Sequence, residues 1–287
     1  MTGTGGSATP DALAERLRVL TADPARAAVL SDIDGTLAPI VERPGDACVP
    51  REVSRLLGEL AQGYRCVACI SGRRAAEARR LVGQDRITYV GLHGAEELRP
   101  GQSAPRVAPA FRGWEDRVRA FCFAHDTPEL RRLGVRIEDK GPIMAFHWRG
   151  VPDEDAALAH LEDVGRDARS QGLATHKGRK VLEVRPPIPV DKGLAVRHLV
   201  TSSGPEVALY GGDDATDLDA FDALDALVGD GRLAAAVRVG VRSEEGPEDI
   251  VARADVVVEG TKGFTGVLRC LARRAARGTG ARRRGWQ

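Results

Sequence analysis

Short apolar runs that end abruptly on polar residues recur in the first and last thirds of the chain. Ala27 to Leu30 is followed at once by Asp32 and Asp34, and RCVACI is followed by Ser71-Gly72-Arg73. Ile87 to Gly91 leads into Leu92-His93-Gly94-Ala95-Glu96, and EVALYGG runs into Asp213 and Asp214. Continuous apolar runs of this length predict strands buried on both faces. Between them lie stretches with helical spacing. One runs from Pro10 to Leu20, a second is opened by Pro50 at its first position and closed by Gly63, and a third reaches Val82. The alternation predicts a parallel sheet with crossover helices, an α/β fold.

The middle of the chain has a different rhythm. After the Pro- and Gly-rich stretch from Pro100 to Pro109, Phe111 to His125 reads as a helix. VRIEDKG and IMAFHWRG read as an antiparallel pair around a Gly-Pro turn. A helix over Asp153 to Gln171 and two strands, LATHK and KVLEVRP, follow. Residues 99–185 are therefore expected to form a second, α/β domain inserted into a core made of 1–98 and 186–287. After PPIPV the first rhythm returns: helices over Asp191–Val200 and Thr216–Leu227, strands in AAVRVGV and DVVVEG, and a helix from Lys262. Residues 1–9 and 278–287 are expected to be disordered.

Composition narrows the classes. At 287 residues and 43% hydrophobic, with aromatics at 4%, the chain can bury a large aliphatic core. Seven arginines and no acid lie from Arg269 onward, so the formal charge of +1 leaves −6 for the preceding 268 residues. An acidic body argues against nucleic-acid binding, which needs a basic face. No apolar run approaches the ~20 residues of a membrane span, and the N-terminus lacks the order of a signal peptide. Five cysteines form no even disulfide framework, so reduced thiols in the cytoplasm are expected. Cys66 and Cys69 lie in one apolar run, where they would point to opposite sheet faces as structural thiols.

Asp32, Asp34, Ser71, Lys192, Asp213 and Asp214 fall at strand ends or helix starts of the core, where a hydrophobic core has no use for them. In open parallel sheets such ends converge on one crevice. Two alternating acids at the exit of a buried strand repel each other unless they share a proton or a cation. Oxygen ligands without a matching His or Cys set point to Mg²⁺ rather than zinc.

Asp32-Ile33-Asp34-Gly35-Thr36, Ser71, Lys192 and Gly212-Asp213-Asp214-Ala215-Thr216-Asp217 resemble, in order, the four motifs of the haloacid dehalogenase (HAD) superfamily of phosphotransferases. LSDIDGTLAPI, ISGR, GLHGAE, KVLEVRP, DKG and GGDDATDLDAF further resemble the trehalose-6-phosphate phosphatases, over about residues 26 to 272. The resemblance implies a HAD-like Rossmannoid core with an inserted α/β cap. It also implies a Mg²⁺-dependent phosphatase that hydrolyses trehalose 6-phosphate through an aspartyl phosphate. Asp32 would be the nucleophile, Asp34 the general acid and base, and Ser71 and Lys192 the phosphate cradle. Asp32, the Asp34 carbonyl and Asp213 would hold the metal, with support from Asp214 and Asp217. Arg73 and the cap residues Glu138, Lys140 and Glu183 would contact the substrate, and Glu96 would serve the hinge or cleft wall. Glu138, Lys140 and Glu183 also read as a cross-strand charge set. His93 reads as structural, and His147 and Trp148 read as sheet or packing residues. Leu218 stands where the family commonly has Glu, so a hydrogen bond near the metal site would be missing. Alternatives are another sugar or pseudo-disaccharide phosphate as substrate, or a catalytically silent sugar-phosphate binder.

Overall fold

The computed structural model describes residues 10–41, 44–178, 180–243 and 246–283. The chain opens with helices α1 (Pro10–Arg16) and α2 (Arg18–Ala22), then strand β1 (Ala27–Ser31), α3 (Arg51–Leu60), β2 (Cys66–Ile70), α4 (Ala75–Val82) and β3 (Thr88–Gly91). Two short strands follow, β4 (Glu96–Leu98) and β5 (Arg106–Val107). Next come α5 (Glu115–Ala124), α6 (Pro128–Arg132), β6 (Arg136–Asp139), β7 (Met144–His147), α7 (Glu154–Ser170), β8 (Ala174–Gly178) and β9 (Val181–Arg185). The chain ends with α8 (Lys192–Ser203), β10 (Val207–Gly212), α9 (Ala215–Gly229), β11 (Ala235–Arg242), α10 (Glu248–Arg253), β12 (Val256–Glu259) and α11 (Gly260–Arg283).

Eight strands form one sheet in the order β12-β11-β10-β1-β2-β3-β4-β5, parallel from β12 to β3 and antiparallel between β3 and β4. The apolar runs are buried on both faces because each face has its own layer of side chains. Val29, Cys69 and Leu209 pack into one cluster, and Leu30, Cys66 and Tyr210 into the other. Cys66 and Cys69 thus point to opposite faces as buried thiols, as strand periodicity requires.

The chain divides into two compact units, Met1–Arg106 with Val190–Gln287, and Val107–Pro189. The second unit has a four-stranded antiparallel sheet, β6-β7-β9-β8. One face of it packs on α5 and α7 through Val118, Phe121, Met144, Phe146, Leu161, Leu182 and Val184.

The structure differs from the sequence expectation at several elements. The first helix is broken at Leu17, which is buried and starts α2 without a side-chain cap. β4, β5 and α6 are too short to show a period, and none was anticipated. The last helix continues to Arg283, so residues 278–283, expected to be disordered, are helical. Residues 1–9 and 284–287, also expected to be disordered, lie outside the described residues.

Candidate active site

The C-terminal ends of adjacent strands place the acids. β1 lies between β10 and β2, so Asp32 and Asp34, just past β1, sit between Asp213 past β10 and Ser71 past β2. The Asp32 amide donates to the Gly211 carbonyl at 2.9 Å, which fixes the first loop against β10. Gly35, at φ +86°, then turns the chain beside Asp213. A Cβ there would lie 2.0 Å from Asp213 Oδ2, so only glycine lets the two loops meet this closely.

A buried charge network joins two acids to one lysine. Lys192 Nζ lies 2.7 Å from Asp217 Oδ1 and 3.1 Å from Asp32 Oδ1. Lys192 is the first residue of α8, whose N-cap Asp191 accepts from the Leu194 amide at 2.7 Å. Asp217 sits in the first turn of α9 and closes a capping box with Asp214. Its Oδ2 accepts the Asp213 and Asp214 amides, both at 2.9 Å, and its Oδ1 accepts the Tyr210 hydroxyl at 2.6 Å as well as Lys192. Four donors fill the Asp217 carboxylate, so it holds the lysine and the β10–α9 turn. That leaves Asp32 and Asp213 as the better placed of the three to meet a cation.

The electrostatics carry the same message. Burial pushes the Asp32 carboxyl well above its usual range, Lys192 opposes this, and Asp217, Asp213 and Asp34 add to it. Burial and the neighbouring Asp217 push Asp213 up to about 7. Burial works against the Lys192 charge, but Asp217 and Asp32 outweigh it and hold the ammonium above its ordinary range. Carboxylate oxygens of Asp32, Asp213 and Asp217 lie within 4.8 Å of one another, with one lysine to balance three acids. Asp213 Oδ1 accepts from Thr36 Oγ1 at 3.1 Å, while its buried Oδ2 has no hydrogen-bond donor among the described residues. An orphaned carboxylate oxygen in a site with two uncompensated negative charges fits a divalent cation with hard oxygen ligands.

Asp34 is gripped differently. Arg73 Nε and Nη2 donate to its two oxygens at 2.7 and 2.8 Å, a fork on a carboxylate, and Arg73 Nη1 also meets Glu77. Arg73, expected to contact substrate, is thus engaged with Asp34 in this structure. The buried Ser71 accepts from the Arg73 amide at 3.2 Å, and its own amide donates to Val90. Glu96 accepts the Ala75 amide at 2.5 Å, tying β4 to the start of α4. Leu218 is partly buried against the Tyr210 and Phe221 cluster.

In the second unit, Glu138, Ala145, Glu183 and His176 occupy one row across β6, β7, β9 and β8. Lys140 Nζ lies 3.2 Å from Glu183 and 3.8 Å from Glu138, and His147 Nε2 is 2.8 Å from Glu138. Trp148 lies in the core of that unit, as expected of a packing residue. Thr36 and Tyr210 are contributors to the site that sequence reasoning passed over. Thr36 lies inside the first quoted motif and Tyr210 in the apolar run before the fourth, but a hydroxyl near an acid carries no signal until the partner's direction is known.

The family model for trehalose-phosphatases matches residues 30–251. The chain belongs to the trehalose-phosphatase family. It is 36% identical over 208 residues to a trehalose-phosphate phosphatase of Mycobacterium avium, covering 69% of this chain and 51% of that one. It is also 38% identical over 232 residues to a Mycobacterium tuberculosis protein named an uncharacterized glycosyl hydrolase, covering 76% of this chain and 17% of that protein. The chain therefore spans about half the length of the first relative and under a fifth of the second. Among solved structures, a trehalose-6-phosphate phosphatase related protein superposes with a TM-score of 0.67 at 25% identity, over 87% of this chain and 99% of that one. A haloacid dehalogenase-like hydrolase from Bacteroides thetaiotaomicron, 14% identical, shares the fold with a TM-score of 0.61 over 86% of this chain and 98% of that one.

Proposed function

We propose that the chain is a Mg²⁺-dependent phosphatase that hydrolyses trehalose 6-phosphate to trehalose and phosphate through an aspartyl phosphate on Asp32. One observation carries the reading: a buried Asp32, held by Lys192, beside an Asp213 with an orphaned carboxylate oxygen, in a chain of the trehalose-phosphatase family.

Asp32, the Asp34 carbonyl and Asp213 would hold Mg²⁺, with Asp214 in support. The ion supplies positive charge that lets an anionic carboxylate approach an anionic phosphate. Lys192 fixes Asp32 Oδ1 and shares the charge of the phosphoryl group, and the Ser71 hydroxyl donates to a phosphoryl oxygen. An Asp32 oxygen attacks phosphorus, the bond from phosphorus to the sugar oxygen breaks, and Asp34 gives its proton to that oxygen. In the second half, water attacks the aspartyl phosphate while Asp34 takes the water's proton, so carboxylate and acid both return to their starting states. The fork from Arg73 orients Asp34, and one of its two bonds must open for each proton transfer. Glu138, Lys140 and Glu183 read the sugar. The five cysteines form no disulfide among the described residues, which suits a reducing cytoplasm. Among the described residues no helix is long and apolar enough to cross a membrane.

The test is phosphate release from a panel of mono- and disaccharide phosphates, with Mg²⁺ and with chelator. Trehalose 6-phosphate is expected to be the best substrate, with chelator abolishing turnover. Release from trehalose 6-phosphate no faster than from glucose 6-phosphate removes the assigned specificity, and no release from any ester removes the enzyme. The likeness to a segment of a mycobacterial glycosyl hydrolase favours one second reading, the same chemistry on another disaccharide phosphate, which the panel also resolves.

A further inference from the structure

Arg185 is the last residue of β9, two positions beyond Glu183. Side chains alternate along a strand, and Leu182 and Val184 point into the core of the second unit. Glu183 and Arg185 therefore share the opposite face, the one that carries Glu138 and Lys140. Three of Arg185's neighbours there are engaged with one another or with His147: Lys140 with Glu183 and Glu138, and Glu138 with His147. Arg185 differs. Its Nε is buried and has no hydrogen-bond acceptor, and no carboxylate pairs with it among the described residues.

A desolvated guanidinium N–H without an acceptor costs the fold free energy, and an apolar side chain of similar length would fill the place without that cost. The penalty is relieved when an acceptor arrives from outside. Where these side chains meet, Glu138 and Glu183 balance Lys140 and Arg185 in formal charge, and Arg136 on the same face is exposed to solvent, so the acceptor that suits Arg185 is uncharged. A guanidinium presents several donors in a fixed plane, which matches adjacent hydroxyl oxygens of a sugar ring.

We propose that Arg185 is a specificity-determining residue that donates to hydroxyl oxygens of the sugar in the disaccharide phosphate, alongside Glu183 and Lys140. The proposal rests on the reading of this face as the sugar-binding face, and it adds a residue that reading does not contain. The bond is lost without change to the phosphate chemistry, so binding should suffer and turnover should not.

The experiment compares wild type, Arg185→Met and Arg185→Lys on trehalose 6-phosphate and on p-nitrophenyl phosphate, with thermal unfolding recorded for each. For Arg185→Met, KM for the disaccharide ester should rise on the order of tenfold to a hundredfold, as for a lost hydrogen bond from a charged donor. Its kcat, and its rate on the aryl ester, should stay within about twofold. Arg185→Lys should fall between, because the charge remains and the planar fork is lost. Arg185→Met should unfold at or above the wild-type temperature, whereas a residue retained for structure would lower it. An unchanged KM, an equal loss on both esters, or a lower unfolding temperature overturns the proposal. Should wild type prefer another disaccharide phosphate, the trehalose reading falls while the same KM comparison with that ester still decides Arg185.

Discussion

Asp217 shows how one carboxylate can position another acid's lysine while its own oxygens are filled. Its two oxygens take a lysine, a phenol and two backbone amides, so the position of Lys192 against Asp32 depends on a group one helix turn beyond the Asp213 loop. Tyr210 is fully buried and kept protonated by that burial, with Asp217 and Asp32 adding to the effect, so it always donates. Tyr210→Phe removes one donor to an ionised acceptor and should destabilise the fold by about 1.5–3 kcal/mol. Asp217→Asn should cost more, since an amide nitrogen must then face donors on one side or the other. Urea unfolding checks the order, and Asn more stable than Phe at these positions would contradict the hub. Glu96 offers a test by pH. Burial raises its carboxyl above the ordinary 4.5, against the Ala75 amide that favours the charge. Below 4.5 it is protonated in folded and unfolded chains alike; above it the unfolded chain ionises first, so stability falls as pH rises through the window up to the folded value. Glu96→Gln keeps an acceptor for Ala75 and has no such window. Its unfolding midpoint should gain on wild type as pH rises from 4.5, and parallel curves would count against the account.

Strand ends were legible in the sequence for a physical reason. An apolar run buried on both faces cannot end on two acids without a use for them, so β1 and β10 pointed to the place where the acids converge. Shorter elements carry no such contradiction. β4 has three residues and β5 two, and they exist because β3 offers an open edge, a fact that only the assembled sheet contains. The hold of Arg73 on Asp34 was invisible for the same reason, since it joins residues 39 apart whose approach is set by β1 and β2 lying side by side. Gly35 is the point where element packing and chemistry meet. In Gly35→Ala the new Cβ would strike the Asp213 carboxylate, and φ +86° is strained for any L side chain. The carboxylate must swing away while both strands stay paired. The variant should therefore keep its circular dichroism spectrum, lose the Mg²⁺-induced rise in unfolding temperature, and lose turnover. A Mg²⁺ shift equal to that of wild type would show that Asp213 does not face the ion.

The two compact units have separate hydrophobic cores, and the acids suited to a metal belong to only one of them. This division of labour is testable because the tryptophans are unevenly placed. Trp114 and Trp148 lie in the second unit, Trp148 within its core and Trp114 packed against it beneath Arg117. The third, Trp286, lies outside the described residues. A ligand stabilises the state that binds it by RT ln(1 + [L]/Kd), so on the proposed reading Mg²⁺ adds stability to the unit that holds Asp32 and Asp213. Heating followed by tryptophan fluorescence reports mainly the second unit, and circular dichroism reports both. At a Mg²⁺ concentration about 100 times its Kd, the added stability is about 2.7 kcal/mol, several degrees for a domain of this size. The dichroism midpoint should rise by that much and the fluorescence midpoint should hardly move. Coincident midpoints that rise together would mean that the units unfold as one cooperative body, and that stabilising the acid cluster stabilises the sheet of the second unit as well.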